Sequence, residues 1–144
     1  MYYEKAEDNK VHCYLCPHNC LIASGKVGVC RVRKNIDGEL YSLNYGKITS
    51  IALDPIEKKP LFHFHPGSII LSVGTFGCNL KCSFCQNWQI AHETPETYDI
   101  TPQRLAEEAE KYATRGNVGI AYTYNEPTIW YEFVYETSKR SEEH

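Results

Sequence analysis

Ser68-Ile69-Ile70-Leu71-Ser72-Val73-Gly74-Thr75-Phe76-Gly77-Cys78-Asn79-Leu80-Lys81-Cys82-Ser83-Phe84-Cys85-Gln86-Asn87 decides how the chain is read. The run to Phe76 is nearly continuously apolar and short, the pattern of a parallel strand covered on both faces. Gly77 breaks it, and Cys78, Cys82 and Cys85 follow in a C-x3-C-x2-C spacing on the loop leaving the strand's C-terminal end. Loops at that end are where α/β folds place their chemistry. Three thiolates on one short loop hold three irons of a 4Fe-4S cube, and no fourth thiol stands close by to complete an all-cysteine set. The fourth iron is thereby left to an outside ligand. The plainer alternative is a zinc site or buried structural thiols, but zinc sites usually come as two C-x2-C pairs.

With Phe84 immediately before Cys85, the loop resembles the radical S-adenosylmethionine (SAM) family, whose signature is C-x3-C-x-aromatic-C. The resemblance implies that Cys78, Cys82 and Cys85 ligate a 4Fe-4S cluster, that SAM chelates the remaining iron, and that Phe84 lies beside the adenine. It also implies reductive cleavage of SAM to a 5'-deoxyadenosyl radical that abstracts hydrogen from a substrate, fed by an electron donor such as flavodoxin or ferredoxin. A fully ligated cluster carries an electron but does not position SAM, which is why three cysteines are needed rather than four.

The 144 residues, 42% of them hydrophobic, suffice for one core with a small appended module, though not for a complete large barrel. With 15 basic and 18 acidic side chains the net charge is -3, which gives neither the basic footprint of a nucleic-acid binder nor a polybasic membrane patch. Met1 to Lys10 is polar and lacks the apolar segment of a leader, and no run approaches the roughly 18 apolar residues of a membrane span. The expected location is the cytoplasm. The seven cysteines agree, because they fall in two tight clusters, as metal ligands do, rather than in a spread disulfide framework.

Cys13, Cys16, Cys20 and Cys30 form the first cluster, C-x2-C-x3-C-x9-C, on a segment punctuated by Gly25 and Gly28. Four such thiols close either a tetrahedral zinc site or a fully ligated second iron-sulfur cluster, and spacing does not choose between them. His12 and His18 read as solvated neighbours rather than ligands. From Gly28 to Leu53 the residues alternate, with a hairpin signal at Asp37-Gly38 and a second turn at Asn44 to Lys47, which predicts a small antiparallel meander packed on the next domain. Asp54 to Gly67 contains three prolines and reads as an irregular connector. In it His63 and His65 share one side of an extended segment without a third ligand nearby. Lys58 and Lys59 read as a solvated pair, with a SAM carboxylate or an acidic partner as the functional alternatives.

After the Cys loop a polar connector leads to Thr101-Pro102, an N-cap followed by a first-turn proline. The helix it opens places Leu105, Ala109, Tyr112 and Ala113 at helical spacing and stops at Gly116. Val118 to Tyr124 is a second strand, and Pro127 opens a second helix carrying Ile129, Trp130, Phe133 and Val134. Strand, helix, strand, helix makes a βαβ unit with one more helix. The second strand runs into Tyr124-Asn125-Glu126-Pro127, which resembles the Gly-Gly-Glu-Pro stretch of radical SAM enzymes and so implies that Asn125 and Glu126 bind the amino group of SAM. Side chains at the two glycine positions imply a different local backbone path. Glu126 is otherwise a helix N-terminal carboxylate, and Tyr122 and Tyr124 are packing residues.

Taken together, the two Cys clusters, the connector and the Tyr-Asn-Glu-Pro variant resemble the pyruvate formate-lyase-activating-enzyme-like branch of the family. Within it the chain is most similar to the radical SAM enzymes of AmmeMemoRadiSam systems, from Cys13 to about Glu136. Activators of this branch generate a glycyl radical on a partner, so a protein substrate is implied. The expected fold is α/β: residues 1–66 form a Cys-rich antiparallel β module with its connector, and residues 67–144 form two βα units of a partial radical SAM barrel. The family barrel has roughly six such units, so the chain reads as a fragment, a truncated product or half of an assembly. The open edge of the second strand is then a site for self-association, and the polar ending from Ser138 to His144 is expected to fray. The rival reading is a non-catalytic zinc or iron-sulfur module, or an inactive remnant, and a third is an electron carrier that does not use SAM.

Overall fold

The computed structural model describes residues 1–142. It opens with β1 (Tyr3–Lys5), β2 (Val11–Cys13) and β3 (Cys20–Ile22), an antiparallel sheet that buries Val11, Cys13 and Ile22. Each of these strands has three residues, too few for alternation to be read from sequence. β4 (Arg33–Ile36) and β5 (Glu39–Ser42) form the expected hairpin, with Asp37 and Gly38 at φ of 50° and 86° in its two-residue loop.

The meander ends there. β6 (Lys47–Ile48) has no partner in β5, and β7 (Ser50–Pro55) lies antiparallel along β8 (Ile69–Gly74) with Leu53 opposite Leu71. The side chain of Leu53 packs on the core to which Leu71 belongs, and that burial outweighs the short sequence path back to β5. The connector is irregular as expected, with one short turn of 3-10 helix at Ile56–Lys58 followed by exposed residues 60–67.

β8 is buried from Ile70 to Gly74 and is the centre of the main sheet. After the Cys loop comes α1 (Trp88–His92), a helix of five residues, too short to show a helical period in the sequence, and then β9 (Tyr98–Asp99), which supplies the partner of β6. α2 (Pro102–Lys111) starts at Thr101, whose Oγ1 accepts a hydrogen bond from the backbone N–H of Arg104 at 3.1 Å. Its buried face is Leu105, Ala106 and Ala109. The chain then tightens into a 3-10 turn at Ala113–Arg115, which turns Ala113 outward, and stops at Gly116 with φ of 88°. β10 (Asn117–Tyr122) runs parallel to β8, giving the sheet order β10-β8-β7.

A 3-10 turn at Pro127–Trp130 leads into α3 (Tyr131–Glu142). Trp130 and Phe133 stack with centroids 4.5 Å apart and, with Ile48, Leu71, Val73, Leu105 and Ala109, make the main core. The residues from Ser138 to Glu142 do not fray: they complete α3, with the Ser138 hydroxyl donating to the Val134 carbonyl at 2.9 Å. Glu143 and His144, also expected to fray, lie outside the described residues. Among the described residues no helix is long and apolar enough to cross a membrane.

Candidate metal centre

β8 and β10 run parallel, so the segments leaving their C-terminal ends, Thr75–Asn87 and Thr123–Glu126, come out side by side. Between them lies a cavity of about 230 Å³ lined by Cys78, Cys82 and Cys85 from the first segment and by Tyr124, Asn125 and Glu126 from the second. His92, at the end of α1, completes one wall. The three cysteines and both carboxy-terminal residues expected at SAM thus share one space. Phe84 does not: it is 85% exposed and is not part of the cavity wall.

The Cys loop is held by specific contacts. The backbone N–H of Leu80 points at Cys78 Sγ at 3.4 Å, the N–H of Cys85 donates to the Cys82 carbonyl at 3.2 Å, and the N–H of Gly77 donates to the Ile90 carbonyl at 2.9 Å. Gly77 has φ of 82°, and a Cβ there would stand 2.5 Å from Val32 Cγ1 and 2.7 Å from the Cys30 carbonyl oxygen. Only glycine fits, because the loop rests directly on the N-terminal module. His18, exposed to solvent as expected, also joins this contact: its Nε2 bonds the Asn79 carbonyl oxygen at 2.7 Å.

Asn125 ties the two segments together. Its Nδ2 donates to the Gly77 carbonyl at 2.8 Å and its Oδ1 accepts from the Thr75 N–H at 3.4 Å. Tyr124 has φ of 72°, in the left-handed region that glycine enters without cost and a bulky residue does not. Its hydroxyl donates to Asp54 at 3.1 Å and its ring lies under Lys59 Nζ at 5.1 Å, so it is more than a packing residue. Lys58 and Lys59 each reach an oxygen of the buried Asp54 at 2.8 Å. Burial would raise the Asp54 carboxyl, and the two ammonium groups overcome this and hold it far below the usual range. Glu126 does what a helix N-terminal carboxylate does, with Oε1 accepting from the Thr128 N–H at 3.1 Å, and it also lines the cavity that the thiols line.

The donor set can be tested against the groups it was expected to hold. All seven cysteines are free thiols. Among the described residues no three His, Cys, Asp or Glu side chains converge closely enough to hold a single metal ion, as zinc with Zn–S bonds of ~2.3 Å would require. A cube presents its irons at separate corners and takes thiolates set wider apart. The 230 Å³ of the cavity is also well beyond the ~30 Å³ share of one water-sized particle. Three thiols, room for several heavy atoms and a carboxylate residue in the same cavity wall fit a 4Fe-4S cluster with a non-protein ligand. His63 and His65 are exposed and belong to no metal-holding group.

Cys13, Cys16, Cys20 and Cys30 line a separate, narrow pocket together with Arg33 and Ile129. Burial pushes the Cys13 and Cys30 thiols up, with the positive charge of Arg33 acting in the other direction. Arg33 makes a bidentate ion pair with Glu132 and donates to the Ile129 carbonyl at 3.2 Å. The sequence carried no sign of this pair, whose members lie 99 positions apart.

These features define an α/β protein with a three-thiol cluster loop at the C-terminal end of a parallel strand. Residues 72–144 match the Radical SAM superfamily, and the chain belongs to it. An uncharacterized protein of Methanocaldococcus jannaschii is 49% identical over 141 residues, covering 96% of this chain. The chain spans 41% of that relative's own length. No solved structure matches.

Proposed function

We propose that this chain forms the N-terminal part of a radical SAM enzyme that cleaves SAM reductively for hydrogen abstraction. The observation that carries the reading is the meeting of Cys78, Cys82, Cys85 and Glu126 around one cavity at the ends of two parallel strands. When bound, a 4Fe-4S cluster supplies the electron that breaks the sulfonium C–S bond of SAM. The chain's own residues supply everything else that can be assigned. Cys78, Cys82 and Cys85 hold three corners, the Leu80 N–H donates to the Cys78 sulfur, and Asn125 fixes the loop's entry through Gly77. Glu126 offers a carboxylate to the ammonium of SAM, and the backbone around Tyr124, held by Asp54, shapes the wall beside it. Phe84 reaches the adenine only by swinging in from solvent.

In this reading residues 1–66 are the Cys-rich module and connector, residues 67–144 open the barrel, and β7 along β8 is their seam. The branch is that of the pyruvate formate-lyase-activating-like enzymes, in the subgroup of AmmeMemoRadiSam systems, supported by the N-terminal cysteine pattern and the connector. A protein substrate and a flavodoxin or ferredoxin as electron donor follow from that branch, with the cytoplasm as location. The outer edge of β10, unpaired among the described residues, is where further βα units or a second copy add. The test is anaerobic reconstitution with iron and sulfide, then dithionite and SAM, with 5'-deoxyadenosine measured. About four irons bound at the barrel site and 5'-deoxyadenosine that disappears in Cys78→Ser, Cys82→Ser and Cys85→Ser support the proposal. A loaded cluster that yields no 5'-deoxyadenosine overturns it in favour of a non-catalytic module.

A further inference from the structure

We propose that a second cavity, between the two connector lysines and the end of β10, binds a carboxylate group of the substrate. This open cavity of about 720 Å³ is lined by Lys58 and Lys59, by Gln86 and Asn87, and by Thr123 and Tyr124. Its volume is in the range of small-molecule sites. The three pairs come from three places: the 3-10 turn after β7 with its cap, the end of the Cys loop just before α1, and the segment leaving β10. Tyr124 also lines the thiol cavity, and Gln86 directly follows Cys85, so the two cavities adjoin. A molecule anchored here stands beside the thiols. That this molecule is the substrate rests on the function proposed for the thiol cavity, whereas the carboxylate site itself does not.

The charge balance selects the ligand. Asp54 is buried and is not part of the cavity wall, and its two oxygens take Lys58 Nζ and Lys59 Nζ at 2.8 Å each, with the Tyr124 hydroxyl at 3.1 Å. Held far below the usual range, Asp54 stays ionised. Two ammonium groups against one carboxylate leave one positive charge, and among the described residues no acidic side chain lines the cavity. Each ammonium has three N–H donors, of which Asp54 takes one. Lys59 is only 14% exposed, so its remaining donors have little water to bond, and a cation so placed is stabilised by a further acceptor. Asn87 precedes α1 without a side-chain capping bond, so its amide is available to a ligand, as is that of Gln86 beside it. One surplus charge flanked by amide donors matches a carboxylate, whereas a phosphate dianion keeps a charge uncompensated.

The experiment titrates the full chain, with and without the reconstituted cluster, with trifluorobutyrate and with its neutral amide, followed by fluorine NMR. Saturable binding of the carboxylate and none of the amide is expected. Lys58→Met removes the surplus charge and leaves Lys59 on Asp54, so Asp54 is not stranded, and it weakens binding ~10–100-fold, the size of one charge-assisted hydrogen bond. Lys58→Arg keeps the charge and restores binding. Gln86→Met and Asn87→Ala, on the exposed end of the loop, each remove one donor and weaken binding in the same direction. SAM has a carboxylate of its own, so the titration is repeated with saturating SAM on the reconstituted chain, where the probe still binds. Displacement of the probe by SAM overturns the assignment to a second molecule. Equal binding of the amide, binding of inorganic phosphate without the carboxylate, or full affinity in Lys58→Met overturns the site. SAM cleavage is not the readout, so a chain that binds the probe and makes no 5'-deoxyadenosine refutes the proposed function and leaves the carboxylate site standing.

Discussion

Glu132→Gln is the substitution that most directly probes how the N-terminal module is joined to the rest of the chain. Arg33 is a β4 residue and Glu132 lies on α3, and their side chains are 4% and 14% exposed. The pair makes two charge-assisted hydrogen bonds, each contributing ~1.5–3 kcal/mol. Glutamine keeps one acceptor oxygen, so one bond is lost and the other falls to about half its strength. The loss is about 2–4 kcal/mol, near the range for breaking a buried ion pair. With a urea m-value of about 2 kcal/mol/M, the midpoint falls by about 1–2 M while the slope stays the same.

The pH dependence sharpens the test. Burial would raise the Glu132 carboxyl, but Arg33 holds it below its ordinary value. A carboxyl with a depressed folded pKa stabilises above its unfolded value of about 4.3 and loses that contribution as pH falls through the folded value. Glutamine has no such proton, so the variant loses less stability on acidification than the parent, and the two stability curves converge below about pH 4. A midpoint shift equivalent to less than about 0.5 kcal/mol, or parallel acid limbs, would refute the reasoning.

The other predictions concern the Cys loop and its neighbours. Gly77→Ala forces a Cβ to within 2.7 Å of the Cys30 carbonyl at a positive φ, and should cost about 2–4 kcal/mol, read as a lowered thermal midpoint. His18→Ala removes the bond to Asn79 and should cost about 1 kcal/mol, with faster loss of iron to a chelator from the reconstituted chain at unchanged initial iron content. Asp54 is held far below its usual range by Lys58 and Lys59. Its stabilisation is therefore present above about pH 4 and lost as pH falls further, and Asp54→Asn should flatten that part of the stability curve.

What was legible in the sequence follows from how local the deciding physics is. The strand before the Cys loop, the Thr101 cap, the Gly116 stop and the Asp37-Gly38 hairpin are each set by a few adjacent residues, and each is found where expected. The three N-terminal strands and α1 were hidden because they span three to five residues, shorter than the period that would reveal them. β7 was placed in the meander because its alternation says nothing about its partner, which is chosen by the packing of Leu53 on the core. At the site, the thiols, Asn125 and Glu126 were legible as residues, since motif spacing marks them. That Asn125 spends its amide on Gly77 and Thr75, that His18 reaches the Asn79 carbonyl, and that Arg33 pairs with Glu132, depends on contacts between distant segments. Phe84 shows the opposite limit, because its place in the motif did not fix its side chain inside the cavity.

The Tyr124-Asn125 pair shows how side-chain contacts can hold a strand end in a backbone conformation that glycine enters more easily. Glycine at these positions would leave the strand end free to approach a ligand but would also leave it mobile. Here Tyr124 stays in the glycine-favoured region at φ of 72°, at a conformational cost of ~1–3 kcal/mol. The compensation is visible: one hydroxyl bond to Asp54, a cation over the ring, and two amide bonds from Asn125 to the neighbouring segment. At ~1 kcal/mol per hydrogen bond these contacts are of the same size as the strain. Gly74 is part of the same design, since a Cβ there would meet the Thr123 carbonyl and the Tyr124 ring at 2.8 Å. The absence of a side chain at Gly74 on β8 leaves room for the Tyr124 ring, and the side chains of Tyr124 and Asn125 hold the cavity wall.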